Sequence, residues 1–403
     1  MHSWLSDESK DEPGMRIGIN TLFLIPGEVG GSEIYLIHTL LALVNSRNSP
    51  EIVLFTNLEN DQFFRQIFQH VPHVSFHPLF FRAQNRPHRI FQEQSHLPVA
   101  VYRSRATLLW SPGYTAPLFC PVPQVVSILD MQYKSHPEDM TFSARVITDI
   151  LVRLAAKKCH RILTLSEFSK REILRHTSAL PEQTHVTLLA AEPKFIPAQP
   201  ASVTRPAIAR LLPFDEPYLL CVANTYPHKN VASLVQAFGN MQHLIPHHLV
   251  LVGKPRRGEP EVSKVLDRLI NPKRVHRLQN IPLSDLIALY QCSDLFVFPS
   301  LYEGFGLPVL EAMMAETLVV AARKGSVPEV GGDAAEYFTP GIKGDMERQI
   351  LKTLCLPKEA RQNRIQYARK HARTFTWERT ARETLSHFRL IGTPLSKSRA
   401  HFQ

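Results

Sequence analysis

The chain has 403 residues, enough for two domains of ordinary size that each bury their own core. An apolar share of 44% and a charged share of 20% are those of a globular protein in water, and no run approaches the ~18 apolar residues needed to cross a bilayer. Five scattered cysteines without a Cys-x-x-Cys pair argue against structural zinc and a disulfide framework, and fit the cytosol. The net charge of +10 suits solvated faces, attraction of an anionic ligand, or docking at an anionic membrane surface. Nucleic acid is not expected as a partner, since no helix-turn-helix, RNP-like or zinc pattern is present.

Residues 1–14 are polar and acidic, lack the basic-then-apolar pattern of a secretory signal, and read as a disordered extension. Met15 directly precedes the first strand and is an alternative translation start. Arg16–Phe23 reads as a parallel strand, followed by Gly27, Gly30 and Gly31 and a helix through Leu36, Leu40, Leu41 and Val44. Ile52–Phe55 is a second strand, with Val74–Phe76, Leu108–Trp110 and Val125–Leu129 as weaker ones. Ala144 to His160 has helical periodicity, with Ile147, Ile150, Leu151, Leu154 and Ala155 on the apolar side. Ile162–Leu165 then returns to the sheet. Prolines crowd the stretch from Pro193 to Pro217, as an interdomain connection should. Strand–helix alternation resumes with Tyr218–Val222, a helix from Lys229 to Phe238, His248–Val252, Val275–Leu278, a helix from Leu283 to Gln291, Leu295–Phe298 and Leu318–Ala322. Such alternation implies right-handed crossovers and doubly wound sheets.

The stretch from Pro299 to Ala312, Pro-Ser-Leu-Tyr-Glu-Gly-Phe-Gly-Leu-Pro-Val-Leu-Glu-Ala, carries the most chemistry. A buried strand runs into a Gly-Phe-Gly loop and then into a helix that Pro308 suits at its first turn. The N–H groups of Phe305, Gly306 and Leu307 would face a crevice at the positive end of that helix, where phosphate can be held. Glu303 stands in the loop and Glu311 about one turn inside the helix. A strand and a helix alone would need neither carboxylate.

This string resembles the signature of retaining, nucleotide-sugar-dependent glycosyltransferases of the GT-B fold, family 4. Pro217–Val222 with Pro227-His228-Lys229-Asn230, Ser166-Glu167-Phe168-Ser169, Val327-Pro328-Glu329-Val330, and Trp377-Glu378 with Thr380-Ala381 are similar to further motifs of that family. The likeness runs from about Arg16 to about Leu390. It implies an α/β protein of two doubly wound Rossmann-like domains facing across a cleft, with a C-terminal helix crossing back to the first. The boundaries expected are an acceptor-binding domain over 15–195, a linker over 196–216, a nucleotide-sugar-binding domain over 217–375, and the returning helix plus tail over 376–403.

The resemblance carries diphosphate binding onto Lys229, contact with the transferred sugar onto Glu303, and acceptance of the ribose hydroxyls onto Glu311. Asn224, in the loop before Lys229, is placed with the donor-binding residues. Gly30 and Gly31, on the opposing domain, allow close backbone approach to the ligand or are plain turn glycines. Ser166 either meets the ligand or caps the helix that follows it. No Asp-x-Asp metal motif is present, so fixed cations and helix ends are expected to neutralise the departing diphosphate, without metal or cofactor.

Departures from the family pattern stand beside these matches. Leu129-Asp130 replaces the usual His-Asp, so only Asp130 carries over as a catalytic candidate. Ala190-Ala191 stand where Asn-Gly is usual, and Ala315-Glu316 where Cys-Gly is usual. The reading that results is a retaining hexosyltransferase, taking GDP-mannose or a UDP-sugar, that serves cell-surface polysaccharide biosynthesis. Its acceptor is expected to be a saccharide or lipid-linked glycan, met in the cytoplasm or at the inner membrane face. The alternative is a catalytically weakened nucleotide-sugar-binding partner subunit. A Rossmann oxidoreductase is disfavoured because Gly27–Gly31 lacks Gly-x-Gly-x-x-Gly.

Overall fold

The computed structural model describes residues 15–47, 49–197 and 204–392. The expected extension over 1–14, the end of the tail beyond 392, and the middle of the linker fall outside them.

Among the described residues, thirteen strands form two wholly parallel sheets. The first lobe holds β1 (Arg16–Asn20), β2 (Glu51–Thr56), β3 (Val74–Pro78), β4 (Leu108–Ser111), β5 (Gln124–Ser127), β6 (Arg161–Thr164) and β7 (Thr184–Val186), in the order β3-β2-β1-β4-β5-β6-β7. The second holds β8 (Tyr218–Val222), β9 (His248–Val252), β10 (Val275–Leu278), β11 (Leu295–Phe298), β12 (Val319–Ala322) and β13 (Glu336–Phe338), in the order β10-β9-β8-β11-β12-β13. Central strands are continuous apolar runs because helices cover both faces; every residue of β4, β5, β11 and β12 is buried. Ile17 pairs with Ile52 on one side and Leu108 on the other, which fixes the register at the middle of the first sheet.

The strand order of each sheet reverses once, between β1 and β4 and between β8 and β11. Crevices open at such switch points, beyond the carboxyl ends of the strands. Here the two crevices face each other.

Helix Trp377–Gly392 crosses back to the first lobe, where Trp377 stacks on His38 at 5.0 Å and Phe388 packs on Trp110 at 5.5 Å. One apolar cluster therefore contains residues of both lobes, including Trp110, Phe195, Tyr290, Phe305 and Phe388. Ala190 and Ala191 are buried in it, so the small pair that replaces a polar dipeptide packs the junction between the lobes. Glu316, in place of glycine, adopts a left-handed backbone (φ 64) and pairs with Arg369.

Several expectations change. The first strand stops at Asn20 and the fifth at Ser127, and the strand before Lys324 starts at Val319. The helix expected from Ala144 runs Phe142–Lys158 after a Thr141 cap, and its buried face is Val152, Ala155 and Ala156 while Ile147 and Ile150 are exposed. Lys229 does not begin a helix. It closes a short 3-10 turn, Pro227–Lys229, and Asn230 (φ 55) leads into helix Val231–Met241. Helix Arg86–Ser104 was not expected, because Pro98 in its interior breaks the pattern that sequence reading relies on.

Candidate active site

The chain leaving β11 carries the site. Its loop carbonyls are tied from behind: Ser326 Oγ donates to the carbonyls of Glu303 (2.9 Å) and Phe305 (2.8 Å), and Ser166 and Ser169 donate to that of Gly304 (2.8 and 3.1 Å). With those oxygens fixed, the N–H groups of Phe305, Gly306 and Leu307 are left without acceptors among the described residues. Gly306 turns the chain with φ 101, and helix Leu307–Met314 begins there with no side-chain cap. The result is a set of donors at the positive end of a helix, open to the cleft.

Lys229 reaches the same point from β8. Its Nζ lies 2.7 Å from Glu303 Oε1, both side chains mostly buried. A cation and a carboxylate are thus held against each other at the mouth of the loop. Neither remains uncompensated while the cleft is unliganded.

Glu311 sits one turn into the helix and accepts a hydrogen bond from Tyr290 Oη at 2.9 Å. Burial pushes its carboxyl up to about 7, with the Tyr290 bond working against that rise. Ligand hydroxyls would supply the donors that the carboxylate lacks.

Across the cleft, Asp130 accepts from Tyr114 Oη (3.1 Å) and from the Gln132 N–H (3.0 Å), and burial raises its carboxyl above the usual range. A Cβ on Gly304 would stand 2.9 Å from Asp130 Cβ and 3.1 Å from the Leu129 carbonyl. Only glycine lets the lobes meet this closely. Leu129 itself is buried in the apolar core. The imidazoles of His136 and His228 stand together on this rim, 5.3 Å apart, and burial pushes His228 down to about 3, which leaves it neutral.

The remaining candidates divide. Gly30 (φ 58) and Gly31 open helix Gly31–Val44, and a Cβ on either would meet nothing within 4 Å, so this side of the cleft has room for a ligand. Asn224 supports a loop, its Oδ1 accepting the Lys254 N–H at 2.8 Å. Next to it, a Cβ on Gly253 would lie 2.1 Å from the Ala223 carbonyl. Ser166 is fully buried and caps helix Glu167–His176 by accepting from the Ser169 N–H at 3.0 Å while donating to Gly304.

Sequence reading gave no role to Ser326, Ser169 or Tyr302, whose Oη accepts the Met131 N–H at 3.1 Å across the cleft. Glu329 was named only as part of the Val327–Val330 motif, with no partner outside its loop. Its two oxygens instead accept the N–H groups of Glu167 and Phe168, each at 2.7 Å, capping a first-lobe helix from the second lobe. Three residues of separation in a loop motif give no sign of a partner more than 150 positions away. Among the described residues, no group of three or more His, Cys, Asp or Glu is placed to hold a metal ion.

Two facing doubly wound lobes, with an uncapped helix end and a lysine on the second, have the architecture of the GT-B fold. Residues 208–371 match the family described as Glycosyl transferases group 1, and Lys229, Glu303 and Glu311 lie within the matched stretch. The chain is 31% identical over 234 residues to O-antigen chain mannosyltransferase B of Escherichia coli, covering 57% of this chain and 60% of that one. It is 29% identical over 234 residues to MMP alpha-(1->4)-mannosyltransferase of Mycolicibacterium hassiacum, covering 57% and 54%. The chain thus spans little over half the length of these relatives. Its fold is similar to that of Anabaena HepE solved with UDP and glucose (TM-score 0.71, 20% identity, 93% of this chain and 100% of that one). It is also similar to a sucrose-phosphate synthase from Thermosynechococcus elongatus (TM-score 0.74, 18% identity, 93% and 98%).

Proposed function

We propose that the protein is a retaining hexosyltransferase that moves a sugar, mannose first among the candidates, from a nucleoside-diphosphate donor to a hydroxyl of a glycan acceptor in cell-surface polysaccharide assembly. The observation that carries the reading is the Lys229–Glu303 pair at 2.7 Å beside the unpaired N–H groups of helix Leu307–Met314. Mannose is preferred to other hexoses because two relatives at 31% and 29% identity are described as mannosyltransferases.

In this reading donor binding separates the pair. Lys229 turns to the diphosphate together with the N–H groups of Phe305, Gly306 and Leu307, and Glu303 is released to the sugar hydroxyls. As the sugar–phosphate bond breaks, negative charge grows on the phosphate already facing these donors, and the oxocarbenium character left on the sugar lies beside Glu303. Fixed donors at a developing charge act without reorganisation, which is where most of their catalytic effect arises. Metal-independent departure is part of the proposal. The acceptor hydroxyl approaches on the face the leaving group vacates, its proton passing to the departing phosphate, so configuration is kept. Glu311 accepts the ribose hydroxyls.

The test is a titration of GDP-mannose and a set of UDP-sugars, followed by measurement of sugar released without acceptor. One donor should bind and leak sugar slowly to water. A donor that binds but is never cleaved would support the non-catalytic partner reading that Leu129, in place of an imidazole, leaves standing.

A further inference from the structure

His228 directly precedes Lys229, and its side chain is buried (1% exposed) although it belongs to a turn at the cleft. Much of what covers it comes from the first lobe. Gln132 Nε2, on the short helix Gln132–Ser135 after β5, lies 3.5 Å from His228 Nδ1, and the His136 ring stands 5.3 Å from the His228 ring. His136 is held in turn: its Nδ1 lies 2.9 Å from Glu138 Oε1, and its ring meets that of Tyr302 edge-on at 5.7 Å. Arg257, from the loop after β9, donates to the Glu138 carbonyl and ties this stretch to the second lobe once more. On its own lobe His228 stacks on Tyr226 at 5.7 Å.

The backbone of His228 is tied to the Glu303 loop. Its carbonyl accepts the Leu301 N–H at 2.7 Å and the Ser300 hydroxyl at 3.4 Å. The turn Pro227–Lys229 thus has two anchors, the Glu303 loop through its backbone and the first lobe through one imidazole. A lysine ammonium on its flexible four-carbon stem is aimed by the turn it leaves from and by the acceptor it meets. In the transferase reading donor binding takes Glu303 away from Lys229. The His228 turn is then what holds Lys229 to the diphosphate.

We propose that Gln132 and His136 are positioning residues: by clasping His228 when the lobes meet, they set the turn that aims Lys229 at the departing diphosphate, so the donor is cleaved only with the lobes together. This inference deepens the transferase reading and rests on it.

The clasp suits a neutral ring. An amide N–H directed at Nδ1 needs a lone pair there, and a second cation beside Lys229 would be repelled. The charged and titratable groups around the ring are His136 and Glu138 from the first lobe and Tyr226, Lys229 and Glu303 from the second, with Tyr302 behind His136. Burial, with Lys229 adding to it, pushes His228 down to about 3 while the lobes are together. With the lobes apart the ring meets water and titrates near the ordinary ~6.5. The closed form has the depressed value, so closure is favoured above about 6.5 and lost as the pH falls below it. Between pH 7.5 and 5.5 the closing equilibrium should drop about tenfold.

The test is single-turnover cleavage of saturating nucleotide-sugar without acceptor, from about pH 5.5 to about pH 8. Donor affinity is measured separately, because Glu311 bears on affinity. The wild-type saturated rate should fall several-fold on the acid side. His228→Asn keeps an acceptor near Nδ1 but does not titrate, so its rates at pH 7.5 and 5.5 should agree within about twofold. His136→Ala should lower the saturated rate about fivefold at pH 7.5 with affinity within about twofold, and Gln132→Ala should lower it further. His136→Phe, which restores a ring against His228 and Tyr302, should recover most of the loss. An acid fall that survives His228→Asn, wild-type rates in the Gln132 and His136 variants, or a loss confined to affinity overturns the proposal. If His228→Asn does not fold, the first-lobe variants decide the matter, since they leave His228 in place. X-ray scattering of the unliganded chain separates this inference from the reading beneath it: the radius of gyration should rise from pH 7.5 to 5.5 in wild type and not in His228→Asn. If a donor is cleaved while rate and radius ignore both pH and the variants, only this inference falls. If no donor is ever cleaved, the transferase reading falls and takes the role at Lys229 with it, whatever the radius does.

Discussion

Lowering the pH from about 8 to about 6 should weaken donor binding roughly tenfold, and Glu311 is the group responsible. Burial against Tyr290 pushes its carboxyl up to about 7 in the unliganded protein. In the proposed reading the ribose hydroxyls donate to it, so the ionised form binds and the protonated form resists. A group titrating near 7 is about 90% ionised one unit above and about 10% one unit below, a difference near 1.4 kcal/mol in binding free energy. Binding near pH 7 should then release about half a proton, seen as a calorimetric enthalpy that depends on the ionisation heat of the buffer. The intact nucleotide-sugar is the proper ligand, because a free nucleoside diphosphate has a terminal phosphate that titrates in the same range. Glu311→Gln should bind weakly at every pH and show no proton release. Tyr290→Phe, which removes the one donor that opposes the shift, should move the transition to higher pH. A dissociation constant that stays flat over this range, or a slope that survives Glu311→Gln, would refute the reasoning.

The same group sets a stability trend of known sign. Because its folded value lies above that of an unfolded glutamate, the contribution to stability is complete at acid pH and is lost as pH rises through about 7. The unliganded melting temperature should carry a downward component over that interval that Glu311→Gln lacks. Glu329→Ala removes two charge-assisted bonds between the lobes, each worth roughly 1.5–3 kcal/mol before solvent screening. Its carboxylate is part exposed, so a loss of about 1–3 kcal/mol from lobe closure is expected, read as a larger radius of gyration by X-ray scattering and a raised KM. Gly304→Ala places a methyl against Asp130 and the Leu129 carbonyl, and should hold the lobes apart and lower turnover while each lobe unfolds as before. Normal turnover in that variant would mean that the close contact is dispensable.

The inner strands of both sheets were legible in the sequence because buried parallel strands are short continuous apolar runs, as in Leu295–Phe298 and Tyr218–Val222. Lys229, Glu303 and Glu311 were legible because loop glycines and a helix start surround carboxylates and a lysine that packing does not require. Helix Lys358–Ala372 was not, since only Ala368 and Ala372 of its side are buried and no apolar stripe announces it. Helix Phe142–Lys158 was found but turned wrongly: Ile147 and Ile150 satisfy a helical period equally well as core or as an exposed face. The cross-lobe capping by Glu329 and the carbonyl clamps of Ser166, Ser169 and Ser326 depend on tertiary approach, which a linear spacing does not encode.

The central claim is that Lys229 and Glu303 manage the charge that separates when the donor breaks, and single-turnover cleavage of the bound nucleotide-sugar tests it most directly. With donor saturating, Glu303→Gln should cut the rate at least a hundredfold with little change in affinity, and Lys229→Ala should lower both. Wild-type rates in both variants would show that the bond breaks without them.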